Sequence, residues 1–340
     1  MKRWITLAWG LSFLWACQSS KGPDIRILSE TDSTLSPEIR ALCKKIADDP
    51  TVAEYYYLRG NTFYYEENYR EALIDLQASV SLNPEQPLYH FRLAETYLQS
   101  DSAQYPQAAF HLSEALRLKP DYAEAQYQQA RLWVARQEYD KAAAPIKNLK
   151  NNPDFRDRAF LLEALSFREQ KDTAKSEAVL DALLRLSPQN YDANMQKALI
   201  LLNRHDPLCM EWLDKSLSLD ELSDEALYHK GLWNQWNGQY ADAMVLYENA
   251  NRINPGHLYA RYNRAVIESL FENYLKSEEH CNQVLDMDAN FSLALALRGY
   301  CREKLGYKKA AQSDYQAALK LDPSLSIAQE GLENLGESLR

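Results

Sequence analysis

The sequence predicts an all-helical chain that stacks one helix-turn-helix unit many times, and three observations carry that expectation. A Leu-x-Pro-like stop recurs at Pro50, Pro84, Pro120, Pro153, Pro188, Glu221, Pro255, Ala289 and Pro323, with spacings of 34, 36, 33, 35, 33, 34, 34 and 34 residues. A period near 34 fits two helices of three to four turns with their connections. Glycine supplies only 10 of 340 residues, so glycine-rich phosphate loops, collagen-like order and glycine-punctuated β architectures lack their raw material. Apolar residues make up 46% of the chain, with 22 Tyr and 7 Trp, which is enough to bury a core rather than stay disordered.

The first segment stands apart from the repeats. Met1-Lys2-Arg3 is a charged start, and Trp4 to Trp15 is an apolar run of twelve residues, too short to cross a bilayer as a helix. The run ends in Leu14-Trp15-Ala16-Cys17, which resembles the lipobox of bacterial lipoproteins, although Trp15 is bulkier than the residue usual at that place. The resemblance implies a signal peptide over 1–16, removed to leave Cys17 as a lipidated, palmitate-bearing N-terminus. An ordinary secretory signal cleaved at Ala16, or a buried first helix, are the alternatives. Removing Lys2 and Arg3 takes the net charge from −10 to −12. More than one acyl chain gives stable anchoring. Residues 17–35 then form a polar tether with a reach of roughly 23 Å. Gln18 after the cysteine resembles outer-membrane sorting, which implies a cell-envelope protein on the outer membrane facing the periplasm.

Beyond the tether, other positions keep register with the stops. Small residues fall 24 before them at Gly60, Ala164, Gly231, Ala265 and Gly299, and 12 before them at Ala72, Ala108, Ser176, Ala243, Ser277 and Ala311. Larger apolar residues fall 8 before them at Leu76, Leu112, Leu180, Leu213, Tyr247, Cys281 and Tyr315. A small residue where two helices cross lets their axes approach, and the large residue fills the layer beside it. Proline after the second helix cannot donate the next backbone bond and drives its predecessor out of the α region. This set resembles the tetratricopeptide repeat. The resemblance implies a right-handed α-solenoid superhelix of about eight helix-turn-helix units plus a C-terminal capping helix.

In this register the chain has a half repeat at 36–52, eight repeats over 53–325 and a cap over 326–340, helical to about Leu339. The cap mixes Gln329, Glu330, Glu333, Asn334 and Glu337 with Ile327, Leu332 and Leu335, the pattern that ends an open stack. Residues 100–104 lengthen one inner turn, and Asp206-Pro207 supplies an N-cap and a first-turn proline at a shortened one. Pro145 falls inside a second helix and is expected to kink it near Ala142, the alternative being a helix that starts at the proline.

Function has to come from surface. Nucleophile elbow, Walker loop, paired-glycine fingerprint and HExxH are all missing from the sequence, so the expectation is no enzyme and no cofactor. His90, His111, His205, His229, His257 and His280 do not repeat at metal-ligand spacing, and no metal is expected. Cys43, Cys209, Cys281 and Cys301 read as buried thiols, though an envelope location would permit a bridge between Cys281 and Cys301. The acidic balance disfavours nucleic acid as a partner.

In tetratricopeptide proteins the exposed stripe of each first helix lines a groove. Carried over, that stripe is Tyr57, Asn61, Tyr64, Tyr65, Phe91, Glu95, Tyr127, Arg131, Arg168, Tyr228, Leu232, Trp236, Tyr259, Tyr262 and Tyr300. Tyr, Trp and Arg carry most binding energy at protein interfaces. The alternative is that the tyrosines pack between first helices of adjacent repeats. Of the Lys/Asn/Arg clamp for chaperone tails only Asn61 is matched, so a protein or peptide partner gripped by aromatic residues and by Arg131 and Arg168 is expected instead. Three roles remain open: a lipid-anchored scaffold, an adaptor for a cell-wall enzyme, and a catalytic protein or a glycan binder using the aromatic stripe.

Overall fold

The computed structural model describes residues 33–100 and 104–336. The signal peptide, Cys17 and most of the tether lie outside the described residues, as do 101–103 of the lengthened turn and 337–340 of the cap. Among the described residues there are eighteen α-helices and no strand. No described helix is long and apolar enough to cross a membrane. The chain divides into two compact units, Met1–Arg156 and Asp157–Arg340.

Unit 1 holds α1 (Pro37–Asp48), α2 (Ala53–Tyr65), α3 (Tyr69–Leu82), α4 (Pro87–Gln99), α5 (Tyr105–Leu118), α6 (Ala123–Ala135) and α7 (Tyr139–Leu149). Unit 2 holds α8 (Arg156–Glu169), α9 (Thr173–Leu186), α10 (Tyr191–Asn203), α11 (Cys209–Leu219), α12 (Asp224–Trp236), α13 (Tyr240–Ile253), α14 (Leu258–Leu270), α15 (Tyr274–Met287), α16 (Ser292–Lys304), α17 (Lys308–Leu321) and α18 (Ser326–Asn334). Within each unit consecutive helices pack as pairs, and first helices of neighbouring pairs also touch, α2 with α4 and α14 with α16. Each unit is thus a stretch of α-solenoid.

Two kinds of turn build the pairs. Between first and second helix, one residue takes a left-handed conformation: Glu67, Gln137, Lys171, His205, Gly238, Glu272 and Gly306, with φ from 56° to 86°. The next residue donates its N–H five positions back, as from Asn68 to Phe63, Glu138 to Trp133 or Tyr307 to Arg302, at 2.8–2.9 Å. This is the Schellman ending, which satisfies a carbonyl the helix leaves open. Between second helix and next first helix, the residue just before the stop takes over. Asp49, Asp220, Asn254, Asp288 and Asp322 each accept the N–H two residues on, at 2.9–3.0 Å. Glu221 and Ala289 can therefore stand where other repeats have proline, because Asp220 and Asp288 close those turns.

The small and large positions meet as expected. A Cβ added at Gly60 would come within 2.9 Å of Leu76, at Gly231 within 2.7 Å of Tyr247, and at Gly299 within 2.7 Å of Tyr315. α7 runs from Tyr139 through Pro145 without a break, so the alternative of a helix starting at the proline is not what forms. α18 ends at Asn334, short of 339, and Gly336 follows it with φ of 80°. Cys43, Cys209, Cys281 and Cys301 are buried free thiols, and Cys301 Sγ donates to Ser277 Oγ at 3.1 Å rather than bridging to Cys281.

Candidate partner-binding face

Unit 1 gathers its site from three successive first helices. Arg92 of α4 is the centre. Its Nη1 donates to Glu95 Oε2 at 2.9 Å and its Nη2 to the Tyr65 hydroxyl at 3.3 Å. Its guanidinium lies 4.8 Å over the Tyr64 ring and 5.4 Å over the Tyr65 ring, both on α2. Glu95 Oε1 accepts from Gln128 Nε2 of α6 at 3.3 Å, and Gln128 Oε1 accepts from Arg131 Nη1 at 3.1 Å. Arg131 in turn covers the Tyr127 ring at 5.9 Å. Burial pushes the Glu95 carboxyl above its usual range, with Arg92 opposing that shift. Burial likewise raises the Tyr57 hydroxyl, again against Arg92.

Of the residues the sequence singled out here, Tyr65 is 69% exposed. Arg131 is also exposed, while Tyr57, Asn61, Tyr64 and Tyr127 are half-buried. Tyr57 stacks on Tyr89 at 4.8 Å, and Asn61 Oδ1 is buried without a partner. Phe91 is a correction: it is 6% exposed and packs in the unit's core, 5.0 Å from Tyr122. The residue beside it, Arg92, itself only partly exposed, joins the first-helix face instead. Each helical residue turns the side chain by about 100°, so a one-place error in register exchanges a core position for a surface one. The signal for Arg92 was its i,i+3 spacing to Glu95.

Unit 2 arranges its residues differently. Arg168 of α8 donates through Nη1 to Gln196 Oε1 of α10 and is otherwise exposed. Trp236 is 45% exposed and stacks on His205 at 4.8 Å, while Tyr259 is 55% exposed against Phe291 at 5.4 Å. Tyr228, Tyr262 and Tyr300 are half-buried, each against an aromatic partner: His257 at 4.7 Å, Phe291 at 5.6 Å and Tyr274 at 6.1 Å. Burial pushes Tyr262 up to about 12. These three fill the seams between repeats. Of the residues the sequence singled out in this unit, Trp236 and Tyr259 are the exposed aromatic ones, and Phe271 and Tyr307 are exposed as well.

Comparison with known proteins agrees with this architecture. Family models described as tetratricopeptide repeat match residues 57–104, 161–207 and 293–325. The chain is 22% identical over 318 residues to the DnaJ homolog subfamily C member 7 homolog of Schizosaccharomyces pombe, covering 83% of this chain and 66% of that protein. It is 31% identical over 121 residues to translocon at the outer membrane of chloroplasts 64 of Pisum sativum, covering 36% of this chain and 20% of that one. The chain therefore spans about two thirds of the first relative and a fifth of the second. Its fold is similar to the crystal structure of PilW, a type IV pilus biogenesis factor, at 21% identity and a TM-score of 0.53, covering 62% of this chain and 99% of that one. The protein carries tetratricopeptide repeats, set in two all-helical units of the α-solenoid kind.

Proposed function

We propose that this protein is a non-catalytic scaffold, held by lipid at Cys17 on the periplasmic face of the outer membrane, that captures a protein or peptide partner on its first-helix faces. The observation that carries the reading is the chain Tyr65–Arg92–Glu95–Gln128–Arg131 in unit 1. It links three first helices through side chains of the types that dominate interface energetics, and it leaves Tyr65 and Arg131 open at the surface. Arg92 is already matched by Glu95, so Arg131 is the cation free to meet an acidic side chain of the partner. An extended peptide laid across the three helices would stack on Tyr65 and pair with Arg131.

The test is crosslinked affinity purification of the full-length protein from envelope extracts, comparing wild type with Tyr65→Ala/Arg131→Ala. Loss of a co-purifying protein at unchanged helicity is the expected outcome. Undiminished capture by the double variant overturns the placement of the site in unit 1, and Arg168→Ala/Trp236→Ala then tests unit 2. Lipid anchoring is tested separately: Cys17→Ala should abolish labelling with palmitate and release the protein to the soluble fraction. Labelling that survives the substitution removes Cys17 as the anchor.

A further inference from the structure

Unit 2 contains a cluster of cations that the repeat pattern leaves uncompensated. In two repeats the first helix carries an arginine whose partner is an aspartate sixteen residues on, in the second helix. Arg59 pairs with Asp75 through two bonds of 2.7 Å, and Arg298 pairs with Asp314 at 2.9 and 2.7 Å. At the same register α14 has Arg264, and sixteen residues on α15 has His280. Where the fold twice places a carboxylate opposite the arginine, here it places an imidazole.

The surroundings do not supply the missing charge. Arg264 Nε and His280 Nδ1 are both buried without a hydrogen-bond partner, and among the described residues Arg264 forms no ion pair. Arg261, one turn earlier on α14, points into the same seam: its Nη1 donates to Gln283 Oε1 of α15 at 3.0 Å and its Nη2 to the Pro255 carbonyl at 3.1 Å. Its Nε is likewise unpartnered. Burial and the neighbouring Arg264 lower Arg261, and the same two causes, in the same order, lower His280. The Gln283 side chain hydrogen-bonds the His280 ring and opposes Arg264. The carboxylates close enough to act on His280, Glu268 and Glu279, act more weakly than either, and Glu268 is engaged by Asn273 Nδ2 at 2.8 Å.

We propose that the α14–α15 seam binds a phosphate-class oxyanion through Arg261, Arg264 and His280. The guanidinium of Arg264, the unpartnered Nε of Arg261 and the unpartnered Nδ1 of His280, drawn from two helices, form a donor set that suits a tetrahedral anion. Burial of these donors strengthens each bond relative to an exposed cation patch. The site does not depend on the first-helix face proposed above.

The experiment uses the full chain and inorganic phosphate, titrated calorimetrically against chloride at equal ionic strength. His280→Asp is the informative variant, because it installs the aspartate of the two compensated repeats and so retains a folded α14–α15 pair. Wild type should give a saturable phosphate isotherm, with a downfield shift of the His280 imidazole proton as the anion raises its protonation. His280→Asp and Arg264→Ala should each weaken binding at least tenfold. Flotation with phosphatidic acid vesicles distinguishes the source: Arg264-dependent flotation assigns a lipid headgroup, and phosphate binding without flotation assigns a free anion. No saturable binding in either arm, or His280→Asp binding as tightly as wild type, overturns the proposal.

Discussion

At the residue scale, the strongest single commitments are charges placed inside the stack. Arg59 is 1% exposed, donates to Asp75 through Nε and Nη2, and reaches Cys43 Sγ at 3.3 Å through Nη1. Removing one partner leaves the other charge buried alone, so Asp75→Ala should lower the stability of unit 1 by about 3–5 kcal/mol in urea unfolding. Arg59→Leu/Asp75→Leu should come out close to wild type; a double variant as damaged as the single one would show that the pair contributes more than its own desolvation. Gly299 makes the opposite point about space. Its missing side chain is where the Tyr315 ring lies, and Tyr315 also donates to Glu303 at 2.7 Å, so Gly299→Ala should cost about 1–3 kcal/mol through overpacking. The glycine was legible in the sequence because it keeps a fixed distance from the repeat's stop. Arg59 was not, since an isolated arginine in an amphipathic helix has no period to betray whether it faces water or a buried acid.

At the element scale, the helices are ended by backbone geometry more than by residue type. Five of the seven left-handed residues in the inner turns are not glycine, although an L side chain there costs roughly 1–2 kcal/mol. Gln137→Gly should therefore stabilise unit 1 by about 0.5–1 kcal/mol after allowing for the flexibility glycine adds to the unfolded chain. A lowered midpoint of urea unfolding would mean that Gln137 makes a compensating contact. Second-helix interiors show a different exception, Pro145 in α7, where the helix goes on without one backbone donor. Pro145→Ala should raise stability by about 1–3 kcal/mol, read by the same unfolding curve. Caps add smaller amounts: Ser223 Oγ accepts the Ala226 N–H at 3.0 Å to start α12, and Ser223→Ala should lose about 1 kcal/mol. The stops were legible because proline and Asx residues act locally. The left-handed turns were not, because Glu, Gln, Lys and His give no local sign of that conformation, and the packing of the two helices imposes it.

At the scale of the whole molecule, burial disfavours the charged form of a histidine in each unit, His111 in unit 1 and His229 in unit 2. In unit 1, His90 and His111 face each other with Nδ1 atoms 3.0 Å apart, His90 Nε2 lies 2.9 Å from the Pro84 carbonyl, and Tyr97, Phe110 and Glu114 surround His111. Burial and His90 bring His111 down to about 4. In unit 2, burial and His257 bring His229 down to about 4, with Tyr228 against its ring and Glu225 3.9 Å away. Both folded values lie below the unfolded imidazole's ~6.5. Their contribution is therefore complete above about pH 6.5 and is lost as pH falls towards 4. Urea unfolding at pH 7 and pH 4.5 should show a marked acid loss that His111→Gln reduces for unit 1; an unchanged midpoint would mean that the rings accommodate the proton. By itself the amino-acid sequence determined the all-helical class, the period, the helix-crossing glycines and the turns that proline marks, since each follows from local propensity repeated in register. Only the tertiary structure decided which tyrosines fill seams and which stay open, that Arg92 rather than Phe91 joins the first-helix network, and that Arg264 stands in register with a histidine where two other repeats place an aspartate. Those outcomes depend on what the neighbouring helix presents across a few ångströms, and a one-dimensional pattern does not contain that distance.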